Sequence, residues 1–128
     1  MEVVCLDTNI LIAHKRAKKQ DKSKTRFYEL ACKGFNFAIT SVTAFELLRG
    51  DDREEDAFWL DFFKRIKKYD FDLEAAHIAG NIYRKLKEDG RMIGVQDILI
   101  ASIALKNELK LATDNIKHFG QIDGLNLV

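Results

Sequence analysis

The chain has 128 residues, of which 47% are hydrophobic and 32% charged, and its 21 Lys and Arg against 20 Asp and Glu leave a net charge of +1. This length and mix suit a single globular domain over residues 1–128, with core enough to fold without disulfides or a structural metal, and they exclude a disordered tail. A nearly neutral molecule has no overall field to attract nucleic acid, so any such contact must come from local basic patches.

The first element is a strand. Val3 to Leu6 is a short, continuous apolar run of the kind buried on both faces of a parallel sheet. Asp7-Thr8-Asn9 then opens a helix carrying Ile10, Leu11, Ala13 and His14. Lys15 to Lys24 is basic and polar and reads as an exposed connection or a frayed helix end. A helix is expected over Thr25 to Lys33, closed by Gly34, with a second strand from Phe35 to Thr40. Ser41 or Thr43 opens the next helix, which ends at Arg49-Gly50. From Glu54 to Lys67, Trp59, Phe62, Phe63 and Ile66 recur at helical spacing. Tyr69-Asp70-Phe71 is a candidate short strand. Leu73 to Asp89 makes a long helix stopped by Gly90, and Val95 to Asn107 an apolar helix lying against a sheet. Lys110 to Thr113 is a fourth strand, and Leu125 to Val128 a candidate edge strand. Strands alternating with helices predict an α/β fold with a short, mainly parallel sheet of 4–5 strands flanked by helices.

Four acids stand where apolar, core-type sequence surrounds or precedes them: Asp7, Glu46, Asp97 and Asp114. An acid so placed needs hydrogen bonds, a counter-charge or a cation. Each also has a purely structural explanation. Asp7 suits a helix N-cap, Thr43-Ala44-Phe45-Glu46 matches a capping box, and Asp97 in a first helical turn meets the helix dipole. Asp114 or Asn115 can cap a short helix running to Phe119. Together the acids suggest more. Carboxylates held about 5 Å apart repel by roughly 3 kcal/mol per pair at an effective dielectric of 20, and a fold accommodates that by protonation or by a bound cation. Carboxylate ligands point to Mg²⁺, with Mn²⁺ as a substitute, rather than to zinc. His14, His77 and His118 have no ligand spacing and read as surface or packing residues. Cys5 and Cys32 read as reduced core thiols.

Taken together, Leu6-Asp7-Thr8-Asn9-Ile10-Leu11-Ile12, Thr40-Ser41 with Glu46-Leu47 and Gly50, Asp97-Ile98 with Ile100-Ala101, and Ala112-Thr113 with Asn115 and Phe119 resemble the PIN-domain ribonucleases, in particular the VapC-type toxins of toxin–antitoxin pairs. The resemblance covers essentially the whole chain. It implies a PIN-like three-layer fold, and a catalytic acidic core in which Asp7, Glu46 and Asp97 bind Mg²⁺. Thr8 would support Asp7, with Asn9, Thr113 and Asn115 as further supporting residues. The fourth acid of the family falls two residues after the threonine, at Asn115 here, so either Asp114 or Asn115 completes the site. The resemblance also implies RNA as substrate, a homodimer, and a small cognate antitoxin whose tail blocks the cleft. Arg49, Lys15 and Arg16 are candidate RNA contacts, with Lys18 and Lys19 beyond them. A PIN-domain RNA-processing nuclease without a toxin role is the alternative.

Other classes fit less well. A haloacid-dehalogenase-type phosphatase needs a second Asp where this chain has Asn9. A receiver-like signalling domain needs its acids at strand ends rather than within helices. A pure interaction module would use the aromatic helix with Phe58, Trp59, Phe62 and Phe63. No basic stretch followed by a long apolar run marks a signal peptide, and no run approaches a membrane span, so a cytoplasmic location is expected.

Overall fold

A computed structural model describes residues 2–50 and 53–128. Strand β1 (Val3–Leu6) is buried from Val4 to Leu6. It lies beside β2 (Asn36–Thr40) on one side and β4 (Lys110–Ala112) on the other, and β3 (Lys67–Tyr69) completes a four-stranded sheet of order β3-β2-β1-β4. All three strand pairings are parallel, with Cys5 opposite Ala38 in β2 and Leu111 in β4. Successive residues in a strand face opposite sides. Val4 and Leu6 therefore join Ile39 and Ala112 in one apolar layer, while Cys5 and Leu111 join the other.

The first layer is covered by α1 (Thr8–Arg16), α2 (Arg26–Cys32), α3 (Ser41–Leu48) and α4 (Arg53–Phe63), which contribute Leu11, Leu30, Leu47, Trp59 and Phe63. The second is covered by α5 (Leu73–Glu88), α6 (Val95–Lys106) and the single turn α7 (Ile116–Phe119), through Ala79, Leu86, Ile98, Ile100, Ala101 and Phe119. Helix α6 is apolar nearly all round because it is buried nearly all round, from Ile98 through Ala104 with the exception of Leu99. The expected three-layer α/β architecture, PIN-like and with a parallel sheet, is the one observed.

Several boundaries differ from the sequence reading. Lys15 and Arg16 are the last residues of α1, and Lys19–Lys24 forms a 3-10 helix in place of an open connection. Lys22 explains the turn: its ammonium donates to the carbonyls of His14 and Lys15, satisfying groups a helix end leaves bare. Helix α4 stops at Phe63, and the third strand begins at Lys67 rather than Tyr69. A Lys-rich edge strand carries no apolar signal, which is how sheet edges resist extension. Leu125 to Val128 forms a single parallel bridge, Leu111 to Leu127, rather than a strand. Its backbone still seals β4: Leu111 N–H donates to Asn126 O at 2.9 Å and Val128 N–H to Leu111 O at 2.9 Å. Among the described residues no helix is long and apolar enough to cross a membrane.

Leu6 is fully buried immediately before Asp7, whereas Leu73 is 87% exposed. Leu6→Ala is expected to lower unfolding free energy by about 2–5 kcal/mol in urea denaturation, and Leu73→Ala by under about 0.5 kcal/mol.

Candidate active site

Parallel strands bring all their carboxyl ends to one edge of the sheet. The chain progresses from β1 to β2 to β3 in one direction and returns to place β4 on the far side of β1. The crevice outside such a reversal is where open α/β sheets bind their ligands. Asp7 follows β1, Glu46 lies on α3, which starts directly after β2, and Asp97 stands at the start of α6. Three separate segments thus deliver their acids to one place.

Asp7 is the most constrained of them. It is 5% exposed and caps α1, its Oδ1 accepting from Thr8 N–H at 2.8 Å while Oδ2 accepts from the Thr113 hydroxyl at 2.7 Å. Capping and site roles are both present in the same side chain. Burial pushes its carboxyl up to about 6; the bonds from Thr113 and Thr8 pull the other way, and the charges of Asp97 and Glu46 add to the rise.

Glu46 does not cap its helix. The N-cap of α3 is Thr40, whose hydroxyl accepts from Thr43 N–H at 3.0 Å, so the apparent capping box is not used. Glu46 instead accepts at Oε1 from the Thr8 hydroxyl at 2.8 Å. A hydroxyl has one hydrogen to give. With Thr8 spending its own on the carboxylate, Thr43 is the donor in their 3.4 Å contact. Arg49, one turn along α3, places Nη2 3.6 Å from Glu46 Oε2 and its guanidinium 5.6 Å from the Phe45 ring centre.

Asp97 lies in the first turn of α6, whose N-cap is Gly94 with no side-chain bond. Its Oδ2 accepts from Asn115 Nδ2 at 3.4 Å and lies 3.2 Å from His118 Nδ1. Asn115 is tied in turn by its backbone N–H to the Thr113 hydroxyl at 2.9 Å. Thr113 therefore touches both halves of the site.

Asp7, Glu46 and Asp97 line one open cleft of about 290 Å³, with Thr8, Asn9, Arg49 and Asn115. Asp114 does not line it. It is exposed, and its backbone N–H reaches Asn9 Oδ1 at 3.4 Å. Of the two alternatives at this position the structure brings Asn115 to the acids. Lys15 and Arg16 lie outside the cleft, in a smaller depression that shares Ile12 and Glu46 with it. Lys15 is engaged by Glu55 at 3.5 Å and sits 4.9 Å from the Phe58 ring centre, while Arg16 is exposed. His118, read from sequence as a surface or packing residue, is in contact with Asp97. The available signal was its spacing from Asn115, since residues three apart share a helix face.

The donors suit a hard divalent cation, being carboxylate and amide oxygens. Among the described residues no three acidic, histidine or cysteine groups close into a ready ligand shell. Such donors would hold Mg²⁺ through one or two carboxylates, the ion keeping most of its water.

A PIN domain model matches residues 4–125. The chain is 37% identical to ribonuclease VapC3 of Methanocaldococcus jannaschii over 77% of this chain and 94% of that one. It is 33% identical to ribonuclease VapC2 of Rickettsia felis over 98% and 96% of the respective chains. The VapBC2 structure of Rickettsia felis, bound to a promoter DNA fragment, superposes with a TM-score of 0.76 at 29% identity, covering 98% of this chain and 97% of that one. The chain belongs to the PIN domain family and, within it, to the VapC ribonucleases.

Proposed function

We propose that this endoribonuclease hydrolyses RNA phosphodiester bonds in the cleft between Asp7, Glu46 and Asp97, with Mg²⁺ as its resident cation and Mn²⁺ as a substitute, as the toxin of a cytoplasmic toxin–antitoxin pair. The supporting observation is the convergence of three carboxylates from three separate segments, one of them buried and pushed up to about 6. Asp7 and Asp97 would hold the ion. A divalent cation so held lowers the pKa of water and offsets charge on the phosphate oxygens. Glu46 orients the attacking water and takes its proton, its own position fixed by Thr8. Arg49 faces the cleft half exposed. A phosphate oxygen would draw it from Glu46 into a charge-assisted bond, and Arg16 extends this basic side along the smaller depression.

The VapBC2 structure of Rickettsia felis is among the solved relatives with this fold. The reading for this chain is an antitoxin protein that masks the acidic cleft, and a homodimer. Exposed Phe45, Phe58 and Leu73 supply apolar surface for such contacts.

Purified protein incubated with a mixed structured-RNA pool should cleave with Mg²⁺ and not with EDTA. Asp97→Asn should abolish cleavage while leaving the melting temperature within a few degrees; unfolding of the variant would favour a purely structural acid. Asn115→Ala should lower kcat/KM by about 10–100-fold, and Asp114→Ala by less than about threefold, as measured on any RNA found to be cut. Folded Asp7 keeps its proton to about 6 against 3.8 for an ordinary aspartate, so between these values the folded state binds more protons than the unfolded one. Its contribution to stability is greatest below about pH 4 and falls as pH rises through about 6, by on the order of 3 kcal/mol. In EDTA, the stability of Asp7→Asn relative to wild type should rise by a comparable amount from about pH 4 to about pH 7 in chemical denaturation.

A further inference from the structure

We propose that His118 is a positioning residue for Asp97, fixing one oxygen of that carboxylate so that the other is presented to the divalent cation. This rests on the reading of the cleft as a metal site.

Both contacts of Asp97 go to the same atom. His118 Nδ1 lies 3.2 Å from Oδ2, and Asn115 Nδ2 donates to Oδ2 at 3.4 Å. Oδ1 has no hydrogen-bond partner among the described residues. A side chain tied at one oxygen and open at the other has lost most of its rotational freedom without losing ligating capacity. His118 Nδ1 also lies 2.8 Å from Asn115 Nδ2. The amide nitrogen has only hydrogens to give, so in this shorter contact Nδ1 accepts from Asn115, and His118 holds the amide that in turn donates to Oδ2 of Asp97. The imidazole is well placed for this work. It sits on α7, anchored by the adjacent Phe119, which is fully buried, and by Gly120 N–H donating to Ile116 O at 2.8 Å. The turn also leaves no freedom at its end: a Cβ on Gly120 would stand 2.7 Å from the Ile116 carbonyl oxygen. His118 is 45% exposed at its side chain, so the core does not need it for packing. Outer partners that orient metal-binding side chains typically change metal affinity by about 10–100-fold when removed.

The test is Mn²⁺ binding by titration calorimetry, with the melting temperature of each protein in EDTA. Asparagine places its amide group where histidine has Nδ1, with an oxygen that can accept from Asn115, whereas glutamine reaches toward the Nε2 position. His118→Ala and His118→Gln should weaken Mn²⁺ binding by about tenfold or more, His118→Asn should stay within about threefold of wild type, and the metal-free melting temperatures should agree. Equal affinity in His118→Ala and wild type overturns the proposal, as does His118→Asn binding no better than His118→Ala. A drop in metal-free melting temperature that tracks the loss of affinity assigns His118 a structural role and also overturns it. Asp97→Asn separates the two readings: if it binds Mn²⁺ as wild type does, the metal site itself is misplaced and the role of His118 falls with it. If Asp97→Asn loses binding and His118→Ala does not, only the role of His118 falls.

Discussion

Everything at the carboxyl edge of the sheet hangs on the hold that Thr8 and Thr113 have on Asp7. The two bonds come from different strands' ends, one from the residue that follows Asp7 and the other from the end of β4. They fix where a buried carboxylate points, and at the same time join β1 and β4 beyond the last backbone pair. The same two threonines reach outward, Thr8 to Glu46 and Thr113 to the backbone of Asn115. The acids are therefore not independent side chains that happen to be near each other. Thr8 links Asp7 to Glu46, and Thr113 with Asn115 links Asp7 to Asp97, so moving one disturbs the others.

This wiring has an energetic counterpart. Asp7 is out of water and faces two other acids, an arrangement that works against the folded state when all are ionised. The fold tolerates it because the strand ends, the α1 cap and the apolar layers around Leu6 and Leu111 are in place regardless of the charge. Stability is given up at one point in exchange for a cleft with strong appetite for positive charge, whether from a cation, a guanidinium such as Arg49 or a partner's basic side chain.

Much of this was legible in the residues. Val3 to Leu6 announces a doubly buried strand, and the helices from Leu73 and Val95 announce themselves by length and apolar content. Asp7, Glu46 and Asp97 stood out because acids are rare in such company, and the structure gathers them in one cleft. What was not legible follows from distance and from polarity. β3 is polar because it is an edge, so its start at Lys67 left no apolar mark. The capping-box pattern at Thr43 and Glu46 is real as a pattern, yet Thr40, outside it, takes the capping role because the helix begins directly at the end of β2. Asp114 and Asn115 differ by one position, and only the backbone turn after β4 decides which faces the acids. His118 meets Asp97 across a gap of 21 residues, and its three-residue spacing from Asn115 was the one local hint of that contact.

The two edges of the sheet are closed in different ways. On one side β3 presents Lys67 and Lys68, with Lys68 folded back to the carbonyls of Phe63 and Ile66. On the other, the chain from Asn126 to Val128 occupies the backbone groups of Leu111. A further strand is discouraged at both edges, by lysines on one side and by chain already bonded on the other. That leaves side-chain shape and charge on helix surfaces as this molecule's main means of choosing a companion. Its specificity is thus open to change one residue at a time, without touching the scaffold.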